Sequence, residues 1–185
     1  MKPLILAFSG SPKHGNTDTI LEQAVKGAEQ AGARVETIYL CDLKFSGCCG
    51  WTNCFYEGFC VVDDNMQDLY KKLFESKAWI LASPNYFNNV SGLMKNFIDR
   101  TNPYALKKQF EGKKALILTC GGWSLDSVQW AENYLREFCR IHRVNVMGSY
   151  KVKADQKWEA EEQKQALLAC FKLGEQLGKT LESKT

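Results

Sequence analysis

Apolar and polar positions along the chain alternate between two periods. Residues 4–9, LILAFS, form a short continuous apolar run, the pattern of a strand buried on both faces. Ile20, Ala24, Ala28 and Ala31 then recur at helical spacing, with Gly32 as a stop. Residues 34–40, RVETIYL, read as a second strand. Asp63-Asp64 opens a helix carrying Met66, Leu69, Tyr70 and Leu73, with Asp64 and Gln67 spaced as a capping box. AWILAS, residues 78–83, is a third strand that breaks at Pro84, and Ser91 caps a short helix with Met94, Phe97 and Ile98 on one side. KALILTC, residues 114–120, is a fourth strand ending at Gly121-Gly122. Trp130, Tyr134 and Phe138 mark the following helix, and VNVMGSYKV, residues 144–152, is a weaker fifth strand. A last helix carries Ala166, Cys170, Leu173, Leu177 and Leu181 at three- and four-residue steps.

Strands alternating with helices imply parallel pairing through right-handed crossovers. The expectation is an α/β fold, a doubly wound five-stranded parallel sheet of flavodoxin-like order 2-1-3-4-5 with helices on both faces. Residues 1–185 show no repeat, low-complexity tract or linker and are expected to form a single domain. In this topology ligands bind beyond the carboxyl ends of the strands, where the winding reverses. The segments after Ser9, Ser83 and Cys120 should therefore converge.

Composition narrows the function classes. The chain is 45% hydrophobic and 24% charged, ordinary for a globular protein, and a net charge of +3 is too small to argue for nucleic acid or an anionic membrane. No stretch approaches the roughly 20 apolar residues of a membrane helix, and the N-terminal apolar run is shorter than a signal-peptide core. A cytoplasmic location is expected.

The loop GSPKHGNT, residues 10–17, has the glycine spacing of a phosphate-binding loop but carries Asn16 where a nucleoside-triphosphate loop needs lysine. Gly10 and Gly15 let the backbone curl close to an anion at a helix N-terminus. Ser9, Ser11, Asn16 and Thr17 can add donors and Lys13 a charge. No later strand ends in a magnesium-binding aspartate, and no dinucleotide glycine motif is present. The loop suits one terminal phosphate, hence a mononucleotide. PNYFNN, residues 84–89, offers aromatic surface for a flat ring and amides for its polar edge.

Taken together, FSGSPKHGNT after the first strand and SPNYFNNVSGLMKNFIDR after the third resemble the flavodoxin-like NAD(P)H-dependent FMN reductase family, in element order across nearly the whole chain. The resemblance implies that Ser9, Ser11, Asn16 and Thr17 bind the FMN phosphate, with Lys13 nearby. It implies that Pro84, Asn85, Tyr86, Phe87 and Asn88 border the isoalloxazine and that Thr119, Gly121 and Gly122 pass along its other edge. Lys95, Asp99 and Arg100 of the landmark LMKNFIDR are assigned to structure.

Four of the eight cysteines crowd residues 48–60. The iron–sulfur flavoprotein branch of the same family carries four cysteines here. Laid on that pattern, Cys48, Cys54 and Cys60 take three positions and Trp51 the fourth, whereas a cluster such as [4Fe-4S] ordinarily needs four thiolates. Cys49 stands one residue away. The reading favoured is a cluster-free loop that keeps free thiols, closes over the flavin or packs in a dimer contact; a disulfide relay is a further alternative. Cys41, Cys120, Cys139 and Cys170 read as small buried hydrophobes. No metal ligand and no catalytic side chain are nominated.

The expected function is an FMN-dependent oxidoreductase that takes hydride from NADH or NADPH and reduces a second acceptor (quinone, flavin, nitro or azo compound, or metal ion) by a ping-pong mechanism. The resemblance also suggests a homodimer or higher homo-oligomer. Two alternatives stand beside this: an iron–sulfur flavoprotein receiving electrons from ferredoxin, and a non-enzymatic flavodoxin-type electron carrier. The positive net charge argues against the carrier, which would gain from acidity in docking on basic partners.

Overall fold

The computed structural model describes residues 2–182. Five strands, β1 (Leu4–Ser9), β2 (Arg34–Tyr39), β3 (Ala78–Pro84), β4 (Lys114–Gly121) and β5 (Asn145–Lys153), form one parallel sheet in the order β2-β1-β3-β4-β5. The central strands β1 and β3 are buried along their whole length, which is why their sequences run apolar instead of alternating. The order and parallel sense match the sequence expectation.

Alternate positions of each strand face opposite layers. Leu6, Phe8, Trp79, Leu81 and Ile117 point to one face. Helices α3 (Met66–Glu75), α4 (Gly92–Arg100) and α5 (Leu125–Ile141) cover that face. Ile5, Ala7, Ile80, Leu116 and Leu118 point to the other, under α1 (Asn16–Gln30) and α6 (Lys164–Glu182). The α1–α6 contact is close because it is made through glycines. A Cβ on Gly174 would fall inside the Ala24 carbonyl, and one on Gly27 inside that of Phe171. The predicted stripe of the last helix packs there, with Cys170 fully buried and Leu177 nearly so.

Helix starts follow the sequence signals in part. Ser91 caps α4 by accepting from Met94 N at 3.1 Å, as expected. The capping box before α3 forms only in part. The Asp64 carboxylate accepts from Met66 N at 3.0 Å, but the Gln67 amide turns away to donate to the carbonyls of Cys60 and Val62. A tertiary partner explains the change: Asp64 is also the counter-ion of Arg100.

The cysteine-rich segment forms a loop with a single helical turn, α2 (Cys54–Glu57). Arg100, at the end of α4, holds this loop through Ser46 O at 2.9 Å, Val62 O at 3.2 Å and Cys60 Sγ at 3.3 Å. Arg100 therefore plays the structural part expected of it. Lys95 and Asp99 pair one helical turn apart at 2.6 Å.

Candidate functional site

At the carboxyl ends of β1, β3 and β4 the chain encloses a cavity of about 270 Å³. It sits where the crossovers reverse hand, between β1 and β3. One wall is the loop after β1, with Ser11, Lys13, Asn16 and Thr17. A second is the loop after β3, with Pro84, Asn85 and Tyr86. A third is Gly121 and Gly122. The three segments that the sequence marked as unusual converge here.

The phosphate loop has an anion-binding build. Gly15 caps α1 with no side-chain hydrogen bond, so the loop meets the positive end of a 15-residue helix without a capping carboxylate or hydroxyl. Lys13 and Lys157 bring positive charge to the wall, and Asp155 the opposing charge. The Ser11 hydroxyl donates to Lys13 O at 2.5 Å and shapes the turn. Asn16 ties the loop to the segment after β5: its Nδ2 donates to Gln156 O at 2.8 Å, and its Oδ1 accepts from Ala160 N at 3.0 Å. Thr17 Oγ1 lies 3.1 Å from the buried Cys120 Sγ.

The loop after β3 is a two-residue hairpin. Tyr86 N donates to Asn89 O at 2.8 Å and Asn89 N to Tyr86 O at 3.0 Å. Its central residues Phe87 and Asn88 both have positive φ, 50° and 58°, as in type I′ turns. Asparagine tolerates this region; phenylalanine does so at a cost of about 1–2 kcal/mol. The outlier holds the Phe87 ring fully in solvent, beside half-exposed Tyr86. Ser127, in the first turn of α5, locks the hairpin: Asn85 Nδ2 donates to its hydroxyl at 2.8 Å, and that hydroxyl donates to Asn88 Oδ1 at 2.7 Å.

Four expected site residues lie off the cavity wall. Ser9 is fully buried and donates its hydroxyl to Asp18. Thr119 is fully buried, one strand position from the wall residue Cys120, and so faces the α4–α5 side. Phe87 and Asn88 stand at the hairpin tip. The wall also includes Gly15 of the glycine loop, Cys120 at the end of β4, and Ala154, Asp155 and Lys157, three residues that no sequence motif marked. The segment after β5 carries no motif, so only its folding back against Asn16 reveals it. A Cβ on Gly121 would lie 3.0 Å from Asn85 Cβ, and one on Gly122 would collide with Asp155, so both glycines admit neighbouring protein.

The cysteines divide by environment. Cys120, Cys139 and Cys170 are buried, and burial pushes their thiols up to about 11, 12 and 12. They fit the reading of small hydrophobes; Cys41 departs from it, being partly exposed at the end of β2. All eight cysteines are free thiols. In the loop, Cys48 Sγ accepts from Gly50 N at 3.4 Å, and Cys54 is buried near Asn102. Trp51 packs its ring against Phe59 at 5.6 Å. No residue of 43–65 lines the cavity within the same chain. Arg100 holds this loop at the C-terminal end of α4.

The comparisons agree with this geometry. A family model for NADPH-dependent FMN reductases matches residues 3–159, so the chain belongs to that family of flavodoxin-like, FMN-binding oxidoreductases. An iron-sulfur flavoprotein of Archaeoglobus fulgidus is 42% identical over 105 residues, 56% of this chain and 48% of that protein. The chain thus spans about half the length of that relative. An iron-sulfur flavoprotein of Methanocaldococcus jannaschii is 30% identical over 145 residues, 78% of this chain and 75% of that one. In structure, a flavodoxin, WrbA-like protein from Agrobacterium tumefaciens superposes with a TM-score of 0.71 over 100% of both chains at 13% identity, a likeness of fold. Among the described residues no helix is long and apolar enough to cross a membrane.

Proposed function

We propose that this protein is a single-domain FMN-dependent oxidoreductase that takes hydride from NADH or NADPH and reduces a second small-molecule acceptor in ping-pong turnover. The observation that carries this reading is the convergence of the anion-binding loop and the aromatic hairpin on one open cavity at the switch point. When bound there, FMN supplies the hydride-accepting and electron-donating chemistry.

The residues present fit that group. Asn85 Oδ1, on the cavity wall, is a buried acceptor with no partner, matching the donor edge of a flat heterocycle. The first turn of α1, with Lys13 and Lys157, holds the phosphate; Ser11, Asn16 and Thr17 shape its cradle. Tyr86, Phe87 and Trp123 give the apolar surface against which a ring and a nicotinamide stack. Asn85 and Ser127 keep the hairpin in register with the cavity. No protein acid or base is assigned, and the chain's part is to bind, orient and shield. A homodimer in the cytoplasm is the setting this reading assumes.

A second reading, an iron–sulfur flavoprotein fed by ferredoxin, is favoured by the names of the relatives and by the N–H groups that approach Cys48, Cys54 and Cys60. The donor set does not fit as it stands. Trp51 occupies the fourth place of the pattern, and Cys49 would have to stand in for it. No step is derived through a cluster.

The deciding experiment is an anaerobic visible spectrum of the FMN-loaded protein before and after NADPH or NADH, with iron and sulfide analysis. Prompt bleaching of clean flavin bands is the expected result. Bleaching by dithionite alone moves the assignment to an electron carrier. Stoichiometric iron and sulfide move it to the iron–sulfur branch, and failure to bind FMN overturns both readings.

A further inference from the structure

The parallel pairing of β1 with β2, with Ser9 opposite Tyr39, brings the loop after β1 against the turn after β2. His14 comes from the first segment and Cys41 and Asp42 from the second. Each of the three offers one ligand atom, and these atoms all lie within 4.8 Å of one another. None of the three lines the flavin cavity. We propose that His14, Cys41 and Asp42 form a divalent-cation site, with Zn²⁺ as its chemical match, that clamps the phosphate loop to the end of β2.

The donor set selects the ion. A thiolate, an imidazole and a carboxylate together suit Zn²⁺, with water completing four-coordination. Bond lengths of about 2.0–2.3 Å place tetrahedral ligand atoms about 3.4–3.7 Å apart. The three side chains therefore close on the ion by rotamer adjustment, and their exposed or half-exposed positions leave room for it.

The surroundings are those of a ligating histidine. His14 Nδ1 lies 2.7 Å from Asp18 Oδ2, which leaves Nε2 as the metal-binding nitrogen. Asp18 is itself 3% exposed, and its other oxygen accepts from the buried Ser9 hydroxyl. A carboxylate that orients the second ring nitrogen is the usual support of a metal-bound histidine, and it fixes both tautomer and ring direction. The Tyr39 ring, edge-on to His14 at 5.1 Å, forms a side wall.

The site is also short of positive charge. Glu22 accepts from the Tyr39 hydroxyl at 3.5 Å, so its carboxylate joins those of Asp18 and Asp42 around the His14–Tyr39 ring pair. Among the described residues, no lysine or arginine stands within ion-pair distance of any of these three carboxylates. A dication offsets that excess. On binding, the Cys41 thiol loses its proton to solvent and forms the sulfur–metal bond; no electrons are exchanged.

The test uses the whole 185-residue chain, FMN-loaded, with Cys48→Ser, Cys49→Ser and Cys60→Ser, so that the accessible loop thiols cannot compete, Cys54 being buried. Zn²⁺ alone is titrated by equilibrium dialysis with elemental analysis, and zinc X-ray absorption reads the ligands. One zinc per chain with a single sulfur neighbour is expected. Adding Cys41→Ser or His14→Gln should weaken binding more than tenfold, with the circular dichroism spectrum unchanged. Zinc affinity indifferent to Cys41→Ser, or no stoichiometric zinc at micromolar concentration, would overturn the proposal. Because the readout is bound metal, it stands or falls separately from flavin turnover.

Discussion

Arg100 Nη1 lies 2.7 Å from Asp64 Oδ2 and Nη2 lies 3.0 Å from Asp64 Oδ1, a two-pronged ion pair whose guanidinium is wholly buried. Burial alone would raise the Asp64 carboxyl, but the Arg100 hydrogen bonds, with those from Ser46 and Met66, hold it below the usual carboxylate range. The remaining arginine donors go to Ser46 O, Val62 O and Cys60 Sγ, so one side chain ties both ends of the cysteine loop to α4. Asp64→Ala, which leaves that charge buried and unpaired, should destabilise the protein by about 3–5 kcal/mol in urea unfolding. Arg100→Lys should not restore wild-type stability, since a lysine cannot reproduce the fork. In both variants limited proteolysis should cut first within residues 46–62.

The hairpin tip offers a stability–function trade. Phe87 holds a left-handed φ of 50° with its ring in solvent. Phe87→Gly relieves the backbone and should raise unfolding stability by about 1 kcal/mol. The same change removes ring surface beside the cavity and should lower NAD(P)H turnover. Stability and steady-state rate measured on one preparation check both halves.

The α1–α6 contact depends on having no side chain at Gly174 or Gly27. Gly174→Ala pushes α6 off the Ala24 carbonyl, where the opposing atom is backbone and does not give way. A loss of about 1–3 kcal/mol is expected. For a chain of this length that lowers Tm by roughly 2–4 °C per kcal/mol. Differential scanning calorimetry measures it.

His142 is buried between Phe110 and Phe138, with ring centroids 5.1 and 4.9 Å away. The Thr101 hydroxyl donates to Ile98 O at 2.7 Å and so accepts from His142 Nε2 at 3.0 Å, which leaves Nδ1 an unpaired acceptor. Burial pulls the imidazole down to about 4, against an ordinary value of 6.5. Between these values the unfolded chain takes up a proton that the folded chain refuses. Stability should therefore fall as pH drops from about 6.5 towards 4, by about 3 kcal/mol in total from this group. His142→Gln should flatten that part of the stability–pH profile, read by urea unfolding at several pH values.

Strand positions, sheet order and the convergence of the loops after β1, β3 and β4 were legible in the sequence. Runs such as LILAFS and AWILAS are explicable only by burial on both faces, and alternation with helical stripes leaves few topologies. The Ser91 cap was equally readable, because a cap is a local bond between residues three apart. Asp64 was misread in part for the opposite reason: its partner is a guanidinium 36 residues away, and a buried charge outranks a local box.

The site divides in the same way. Ser11, Lys13, Asn16, Thr17, Pro84, Asn85 and Tyr86 could be named from motifs, since backbone geometry near a ligand restricts residue type locally. Asp155 and Lys157 could not, because a segment without a motif joins the wall only by folding back on Asn16. Thr119 was assigned to the ring edge by resemblance; its strand parity turns it to the other face of the sheet. The sequence alone determined the periods, the strand and helix stripes and the glycine loop, all set by interactions within a few residues. Tertiary structure alone decided where the cysteine loop docks and that His14 meets Cys41 and Asp42. Those outcomes depend on which distant groups share a buried or anionic neighbourhood, and no local pattern records that.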